Sequence, residues 1–196
     1  MIICVTGKAG SGKTTVSRIL KSAIKSSKII DADIIDADIL GKKLLSDSEI
    51  KKKLVIVFDN KILLKRKISR RKLAETAFSS TKNQKMLNSI VHPDIIKKIK
   101  SSAKSRKGII KTTIIDAALF NELKLGEISD FTVLVKSKDN IVRKRIPENL
   151  FMRRKFQKEP KKPDFILQNN SDIPSLKKSA LKISSKIMET EGKNGK

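Results

Sequence analysis

The chain has 196 residues with 45 basic and 20 acidic side chains, which give a formal net charge of +25. This length suits one domain with a full hydrophobic core, and no apolar run approaches the roughly 18 residues of a membrane span. The first residues carry no basic leader, and one cysteine, Cys4, cannot form an internal disulfide, so we expect no secretory signal, no membrane partner and a cytoplasmic location.

The positive charge is spread along the whole chain and does not form a local patch. Only nine of the 45 basic residues are arginine, and the chain has seven phenylalanines but no tryptophan or tyrosine. Proteins that bind single-stranded nucleic acid usually stack bases on aromatic side chains, whereas a small polyanionic substrate also favours a positive cleft. We therefore expect a small-molecule substrate and no nucleic acid, and we leave the oligomeric state open.

Apolar runs bounded by turn residues predict the strands of the core. They lie at Ile2–Val5, at Ile29–Ile30 or Ile34–Ile35, at Ile109–Ile115 and at Phe131–Val135. Helical patterns separate these runs. Strands that alternate with helices predict a parallel sheet in a three-layer α/β fold.

A phosphate-binding pattern follows the first predicted strand. Gly7–Thr14 fits G-x-x-x-x-G-K-[ST] at every fixed position, and an amphipathic helical pattern comes next. Glycines let successive backbone N–H groups point at phosphate oxygens, and a helix N-terminus adds positive potential at the same place. The alternative is an ordinary glycine turn before a helix cap.

The residue types of this loop predict its roles in binding a nucleoside triphosphate. We expect Lys13 to reach the β- and γ-phosphates and the Thr14 hydroxyl to ligate Mg²⁺, while Thr15 supports the start of the helix. The predicted nucleotide-binding residues are Gly10, Ser11, Gly12, Lys13, Thr14 and Thr15.

Features outside the loop favour a kinase of small molecules over other phosphate-loop proteins. A GTPase needs an Asn-Lys-x-Asp element, but Asn60-Lys61 is followed by Ile62-Leu63. The predicted strand that ends at Asp116 supplies an acid that either helps to hold Mg²⁺ through water or caps the next element.

A pentapeptide occurs twice in tandem, as Ile29–Asp33 and as Ile34–Asp38. A kinase that acts on an alcohol needs a group to take the hydroxyl proton. An aspartate at the carboxyl end of the strand beside the phosphate loop is well placed to do so, since ligands bind at that edge of a parallel sheet. The alternative for Asp-Ala-Asp is a turn or a helix cap.

Two regions interrupt the alternation of strands and helices. The region from about Gly41 to Lys104 is mostly helical by pattern and rich in lysine, which predicts a helical subdomain inserted after the second strand. The segment Asn140–Lys162 is basic and contains prolines, so it predicts a mobile segment with a helix around Leu150–Phe156.

Taken in order, the motifs resemble the dephospho-coenzyme A kinase family over nearly the whole chain. The phosphate loop matches the family form over Gly7–Val16, and a copy of Ile-Asp-Ala-Asp matches the family's I-D-x-D element. Three further family elements resemble Ser69–Phe78, Leu87–Pro93 and Asp164–Asn170. The glycine loop is shared with many kinases, so the ordered set, and above all the His-Pro element, makes the resemblance specific.

The resemblance implies that ATP, with Mg²⁺, phosphorylates the ribose 3′-hydroxyl of dephospho-coenzyme A and gives coenzyme A. It implies a nucleotide core (about 1–40, 105–140 and 163–190), a helical coenzyme A-binding insertion (about 41–104) and a short lid (about 141–162). Another P-loop kinase, of nucleosides or nucleotides, is the alternative enzyme. A basic ATP-dependent nucleic-acid-binding protein is the alternative that is not an enzyme.

In this family the second aspartate of the Asp-x-Asp element is the general base, so the resemblance makes both Asp38 and Asp33 candidates. The residues after Asp38, Ile39–Lys42, resemble the family's usual continuation. The first copy instead suits the usual distance from the phosphate loop. We predict Asp38 as the base.

The lid is predicted from the spacing of Arg143, Arg153 and Gln157, which resembles the family's R…R-x-x-x-Q. Arginine over the triphosphate would neutralise the charge that develops during transfer, and Arg143 is therefore a predicted catalytic residue. A solvated basic helix face is the alternative.

Substrate contacts are also predicted from the resemblance. His92, the only histidine, is expected with Pro93 to orient a helix and to contact substrate, and Arg70 or its neighbour is expected to meet a substrate phosphate. Asn121 takes the place of a family glutamate, so it is a predicted substrate contact without charge. Two further departures are Ser69 for aspartate and Ala117 for proline.

Overall fold

The computed structural model describes residues 1–25, 30–103, 110–154 and 157–194. Within them the strands are β1 (Ile2–Thr6), β2 (Ile30–Asp36), β3 (Leu63–Leu64), β4 (Lys67–Ile68), β5 (Ile110–Ala117), β6 (Phe131–Lys136) and β7 (Phe165–Gln168). The helices are α1 (Lys13–Lys25), α2 (Ala37–Leu44), α3 (Ser48–Phe58), α4 (Arg70–Ala77), α5 (Thr81–Ala103), α6 (Asp139–Val142), α7 (Glu148–Arg154) and α8 (Ile173–Asn194). Short 3-10 helices lie at Asn60–Ile62 and Leu125–Glu127.

The main sheet has five parallel strands in the order β2-β5-β1-β6-β7. A parallel sheet covered on its faces favours nearly continuous apolar strands, and the central residues of β1 and β6 are buried. Helices α1 and α8 pack against each other and share the core with the sheet. The predicted α/β fold with a parallel sheet is confirmed. None of the described helices is both long enough and apolar enough to cross a bilayer.

Cys4 lies in β1 and is fully buried. Burial raises the pKa of its thiol, and the negative charge of Asp116 adds to the shift. A thiol held neutral in the core is not a nucleophile.

Strand β2 is longer than either of the two alternatives predicted for it. It pairs with β5 without a break from Ile30, opposite Ile110, to Asp36, opposite Asp116. The strand therefore contains most of the first pentapeptide and the beginning of the second, while residues 29 and 109 lie outside the described residues. Asp33 and Asp36 are an odd number of residues apart in this strand, so their side chains face opposite sides of the sheet.

Strands β3 and β4 form a small hairpin that the sequence does not predict. The two residues between them, Lys65 and Arg66, have φ of 48° and 61°. A two-residue turn with positive φ at both positions normally carries asparagine, aspartate or glycine. The usual turn signal is therefore missing.

The chain divides into two compact units. The first contains Met1–Asp36 and Lys100–Lys196, with the parallel sheet. The second contains Ala37–Ile99 and is mostly helical. The helical insertion that we predicted, at about 41–104, has bounds that differ from those of the second unit by a few residues at each end.

Side-chain caps define two helix starts in the second unit. The carboxylate of Asp47 accepts hydrogen bonds from the N–H groups of Glu49 (2.9 Å) and Ile50 (3.3 Å) at the start of α3. The Ser69 hydroxyl accepts one from the Lys72 N–H (3.4 Å) at the start of α4. Serine and aspartate are both good N-caps, so serine in place of aspartate at position 69 keeps the helix start.

Candidate active site

The phosphate loop connects β1 to α1 and depends on its glycines. Gly10 and Gly12 have φ of 74° and 95°, where side chains carry a steric cost. A Cβ at Gly12 would also collide with the side-chain amide of Asn169. The glycines of the pattern are therefore required by the conformation of the loop and by the space around it.

Hydrogen bonds from within and beside the loop fix its shape. The Ser11 N–H donates to the Lys8 carbonyl (3.1 Å), and the Asn169 amide donates to the Ser11 carbonyl (2.8 Å). The Lys13 ammonium lies 3.5 Å from the Lys8 carbonyl oxygen. Asn169 thus holds the loop through its buried side chain.

The Ser11 hydroxyl is enclosed within the protein. Ser11 is 1% exposed, and its Oγ has no hydrogen-bond partner among the described residues. A buried hydroxyl without a partner is costly. The Oγ lies near Gly7, where a Cβ would come within 2.9 Å of it, and because it is closed to solvent it does not line the phosphate site.

Thr14 and Asp116 meet at the carboxyl edge of the sheet. The Thr14 hydroxyl donates to a carboxylate oxygen of Asp116 at 2.7 Å. Asp116 is 4% exposed, and along the ladders it stands beside Val5 of β1 and Asp36 of β2. Asp116 therefore lies near the ends of three neighbouring strands, beside the Thr14 hydroxyl at the start of α1.

This pair has the donor chemistry of a magnesium site. Mg²⁺ in nucleotide sites takes one or two protein oxygens and keeps water and phosphate oxygens as its other ligands. In the part of the chain that the structure describes, no group of three or more histidine, cysteine, aspartate or glutamate side chains is suitable for a metal ion. The hydroxyl of Thr14 and the carboxylate of Asp116 fit Mg²⁺ bound together with a nucleotide.

The two candidate bases occupy different structural positions. Asp33 is in the middle of β2, opposite Thr113, and its carboxylate lies 3.9 Å from the Lys21 ammonium of α1. It precedes the end of the strand by three residues, or about 10 Å. Asp36 is the last residue of β2, and Asp38 is the second residue of α2.

Arg143 contacts other residues of the lid segment. Its guanidinium forms an ion pair with Glu148 at 3.1 Å and lies 4.1 Å from the ring centroid of Phe151. The Arg153 side chain lies outside the described residues. For Arg143 to lie over the triphosphate, as predicted, its side chain would have to leave Glu148 and Phe151. That placement therefore stays a proposal.

Arg154, which sequence reasoning missed, reaches the phosphate loop. It is 7% exposed and donates to the Ala9 carbonyl at 2.9 Å. Gln157, which was part of the predicted lid spacing, accepts a hydrogen bond from the Ala9 N–H at 2.7 Å. Two adjacent arginines give no signal of which one is buried, so only the structure distinguishes Arg154 from its neighbour.

Asn121 is tied to the end of the lid segment. Its amide donates to the carbonyl oxygens of Lys158 (3.0 Å) and Glu159 (3.3 Å). An ionised glutamate only accepts hydrogen bonds and could not make these contacts. The amide at position 121 therefore suits its two carbonyl partners. Its predicted contact with substrate is a separate role.

The predicted substrate residues Arg70 and His92 lie in the helical unit. Arg70 is the exposed first residue of α4, and His92 is partly buried within α5. Pro93 follows it inside the helix and cannot donate to the preceding turn. Their contacts with substrate stay predictions.

The structure thus brings the predicted nucleotide-binding residues together with Asp116. Residues Gly10–Thr15 form one loop and helix start, and Asp116 joins them through Thr14. Asp33 is positioned away from that edge along its strand, and Arg143 is bound to Glu148.

Comparison with known proteins identifies the family of the chain. A sequence model described as dephospho-CoA kinase matches residues 1–174. The dephospho-CoA kinase of Borreliella burgdorferi is 33% identical over 147 residues, which cover 74% of this chain and 67% of that protein. The dephospho-CoA kinase of Fusobacterium nucleatum is 32% identical over 188 residues, which cover 90% and 93%.

Solved structures share the fold. A protein of Thermus thermophilus superposes with a TM-score of 0.76 at 22% identity, covering 93% of this chain and 95% of that one. A dephospho-CoA kinase from Campylobacter jejuni superposes with a TM-score of 0.64 at 19% identity, covering 97% and 98%. With the family match over most of its length and a complete phosphate loop, this chain belongs to the dephospho-CoA kinase family.

Proposed function

We propose that this protein transfers the γ-phosphoryl group of ATP to the ribose 3′-hydroxyl of dephospho-coenzyme A, giving coenzyme A and ADP. The observation that carries the proposal is the family match over residues 1–174, together with a phosphate loop complete at every fixed position. P-loop kinases use ATP, and the residues on either side of the loop fit that use.

The loop binds the triphosphate through its backbone. The N–H groups at the start of α1 donate to phosphate oxygens, and the helix N-terminus adds positive potential. The Lys13 ammonium leaves the Lys8 carbonyl for the β- and γ-phosphates.

We place Mg²⁺ at Thr14 and Asp116. Bound there with ATP, the ion would supply positive charge against the phosphates. The 2.7 Å hydrogen bond between the two side chains supports this position because it brings their oxygens together beside the loop. The Thr14 hydroxyl would then be a ligand through its lone pair, and the Asp116 carboxylate would hold the ion directly or through a water molecule.

The general base is assigned to Asp38. Its carboxylate takes the proton of the ribose 3′-hydroxyl as that oxygen attacks the γ-phosphorus, and the bond from phosphorus to the bridging oxygen of ADP breaks. Asp38 follows the last residue of β2 by two positions in the chain, and ligands of a parallel sheet bind beyond the carboxyl ends of its strands. Asp33 stands before that end of β2 and is engaged by Lys21.

Arg143 keeps its predicted role only if it changes partner. It would exchange Glu148 for a phosphate oxygen when the nucleotide binds, because a guanidinium binds phosphate and carboxylate in the same forked geometry. Substrate contacts by His92, Arg70 and Asn121, the coenzyme A-binding role of the insertion, and the cytoplasmic location stay predictions of the same proposal.

A coupled assay of ADP release tests the function. Dephospho-coenzyme A is compared with adenosine, other nucleosides and nucleoside monophosphates as acceptors, and mass spectrometry identifies the product. The proposal expects turnover with dephospho-coenzyme A and formation of coenzyme A. Turnover of nucleosides or nucleotides in its place would overturn it in favour of another P-loop kinase.

Nucleic-acid binding is tested separately through its salt dependence. A basic nucleic-acid-binding protein should lose affinity steeply as salt rises, in proportion to its phosphate contacts. Tight RNA binding that survives Lys13→Ala, without any kinase activity, would support that alternative.

A further inference from the structure

We propose that Arg154 and Gln157 are positioning residues that hold the phosphate loop at Ala9 in the conformation that binds ATP. The proposal rests on the proposed kinase function only for its turnover readout, since ATP binding is measured without any acceptor. Neither residue was assigned this role from the sequence.

Arg154 joins three segments with one buried guanidinium. It donates to the Ala9 carbonyl (2.9 Å), the Ser137 carbonyl (2.7 Å) and the Asp139 carboxylate (3.1 Å). The first belongs to the phosphate loop, the second follows β6 and the third begins α6. A planar guanidinium carries five donors in a fixed fork, so the three acceptors are held in one arrangement.

Gln157 completes the attachment at the same residue. Its side-chain oxygen accepts from the Ala9 N–H at 2.7 Å, while Arg154 donates to the Ala9 carbonyl. Both polar groups of Ala9 are therefore held by one short segment of the chain. The two peptide planes on either side of Ala9 are fixed in orientation as a result.

The next residue of the loop is packed against the same region. A Cβ at Gly10 would lie 2.7 Å from a methyl of Val142 and 3.1 Å from carbons of Ile146. The segment from Val142 to Gln157 thus contacts the loop at two successive residues, by packing at Gly10 and by hydrogen bonds at Ala9. A glycine-rich loop loses much conformational freedom when it becomes ordered. Because these contacts order the loop before ATP binds, they reduce the entropy cost of binding.

The direction of the Ala9 carbonyl explains why this matters for an anion. A carbonyl oxygen bound to a guanidinium cannot turn toward the phosphates, where it would repel them. When that hydrogen bond is lost, Ala9 and Gly10 can adopt other conformations, and ATP binding must select among them. Neither hydrogen bond involves a residue predicted to contact the acceptor (His92, Arg70 or Asn121), so we expect these contacts to have little effect on acceptor binding.

The test measures the Kd for ATP by titration calorimetry, without acceptor, for Arg154→Met, Arg154→Lys, Gln157→Leu and the double variant. A hydrogen bond to a charged group typically contributes enough to change affinity about 10- to 100-fold. We expect that loss for Arg154→Met, a smaller loss for Arg154→Lys and about a fivefold loss for Gln157→Leu. The double variant should lose less than the product of the two, because both side chains hold one residue.

Controls separate positioning from charge and from folding. Lys182→Met removes one positive charge from an exposed position of α8 and should leave ATP affinity unchanged. Gln157→Leu changes no charge, so its effect should persist at high salt. Where dephospho-coenzyme A is turned over, the KM for ATP should rise and the KM for the acceptor should stay within twofold.

Two results would overturn the proposal. If Arg154→Met lowers the thermal midpoint but keeps the Kd for ATP within twofold, the residue only stabilises the fold. If Gln157→Leu is normal and the loss in Arg154→Met disappears at high salt, Arg154 acts as a charge alone. Should Arg154→Met not fold, Arg154→Lys and Gln157→Leu decide the question. Failure of the kinase proposal would show as absent turnover with ATP binding intact.

Discussion

The two copies of one pentapeptide have the same sequence and different structures. Most of the first copy lies inside β2, and its Asp33 pairs with Lys21. The second copy contains the end of that strand, with Asp36 beside Asp116, and the start of α2 with Asp38. Local sequence cannot explain this difference. We expect Asp38, which follows the end of β2 in the chain, and not Asp33, which precedes it, to act in the proposed chemistry.

Matched substitutions in the two copies provide the largest expected difference. Asp38→Asn should reduce kcat about 10²- to 10⁴-fold, because a general base contributes that much, and it should keep the Kd for ATP. Asp33→Asn should leave kcat nearly normal. Both are measured by steady-state ADP release, with Lys13→Ala as a control that loses transfer altogether. A normal Asp38→Asn with an inactive Asp33→Asn would assign the chemistry to the first copy.

Substitution of Asp116, which lies opposite Asp36 of the second copy in the β2–β5 ladder, should have the next largest effect on turnover. Asp116→Asn keeps the shape but removes the charge beside Thr14, and loss of a group that supports a metal site typically costs about 10- to 100-fold. We expect lower turnover and a higher Mg²⁺ concentration for half-maximal rate, measured by Mg²⁺ titration at fixed ATP. An unchanged Mg²⁺ requirement would mean that Asp116 only fixes Thr14.

A capping aspartate gives a useful contrast with both copies. Asp172 precedes α8 and accepts from the Ser175 N–H at 3.0 Å. Hydrogen bonding with the Ser175 side chain, and then with this N–H, lowers the pKa of Asp172. A lowered pKa in the folded state means that its stabilisation is present above the unfolded-state pKa and is lost as pH falls through the folded value. Asp172→Ala should lower the thermal midpoint at neutral pH, and the difference should disappear at acid pH.

Activity in this variant should be unchanged at a temperature where the protein is folded. The same measurements on Asp38→Asn should show the reverse, a normal midpoint with low activity. If Asp38→Asn loses stability in the same way as Asp172→Ala, the second Asp-Ala-Asp is a structural element and not a catalytic one.

The ion pair of the first copy should have the smallest effect. Lys21→Met removes the partner of Asp33, and both side chains are partly exposed, at 34% and 48%. Such pairs contribute about 1 kcal/mol or less, so denaturant unfolding should show a small loss that fades in high salt. A loss of activity would indicate that Lys21 has another role.

The sequence predicts the parts of the site in which residue type and conformation are tightly linked. Gly10 and Gly12 occur where φ is positive, and the strand-loop-helix context of Gly7–Thr14 is as predicted. The alternating apolar runs also predict β1, β5 and β6 closely. These features depend mainly on residues that are close together in the chain, so they can be predicted from a single sequence.

Other features depend on contacts between residues distant in sequence. Arg154 is 145 residues from Ala9, and nothing near it distinguishes it from an exposed lid arginine. Strand β7 was not predicted, because four residues are too short to show a strand pattern. Its strand conformation depends on hydrogen bonding to β6. The length of β2 likewise comes from its ladder with β5.

The amide at position 121 makes part of the lid insensitive to solution conditions. Its hydrogen bonds to Lys158 and Glu159 join neutral groups, so neither a change of pH nor a rise in ionic strength weakens them appreciably. Dependence of lid movement on salt should therefore originate in its charged contacts, such as Arg143 with Glu148 and Lys136 with Glu159. The amide contacts are the part of this attachment that ionic strength does not weaken. The charged contacts, which include the Lys136–Glu159 pair at the same end, are where electrolytes and phosphate ligands can act.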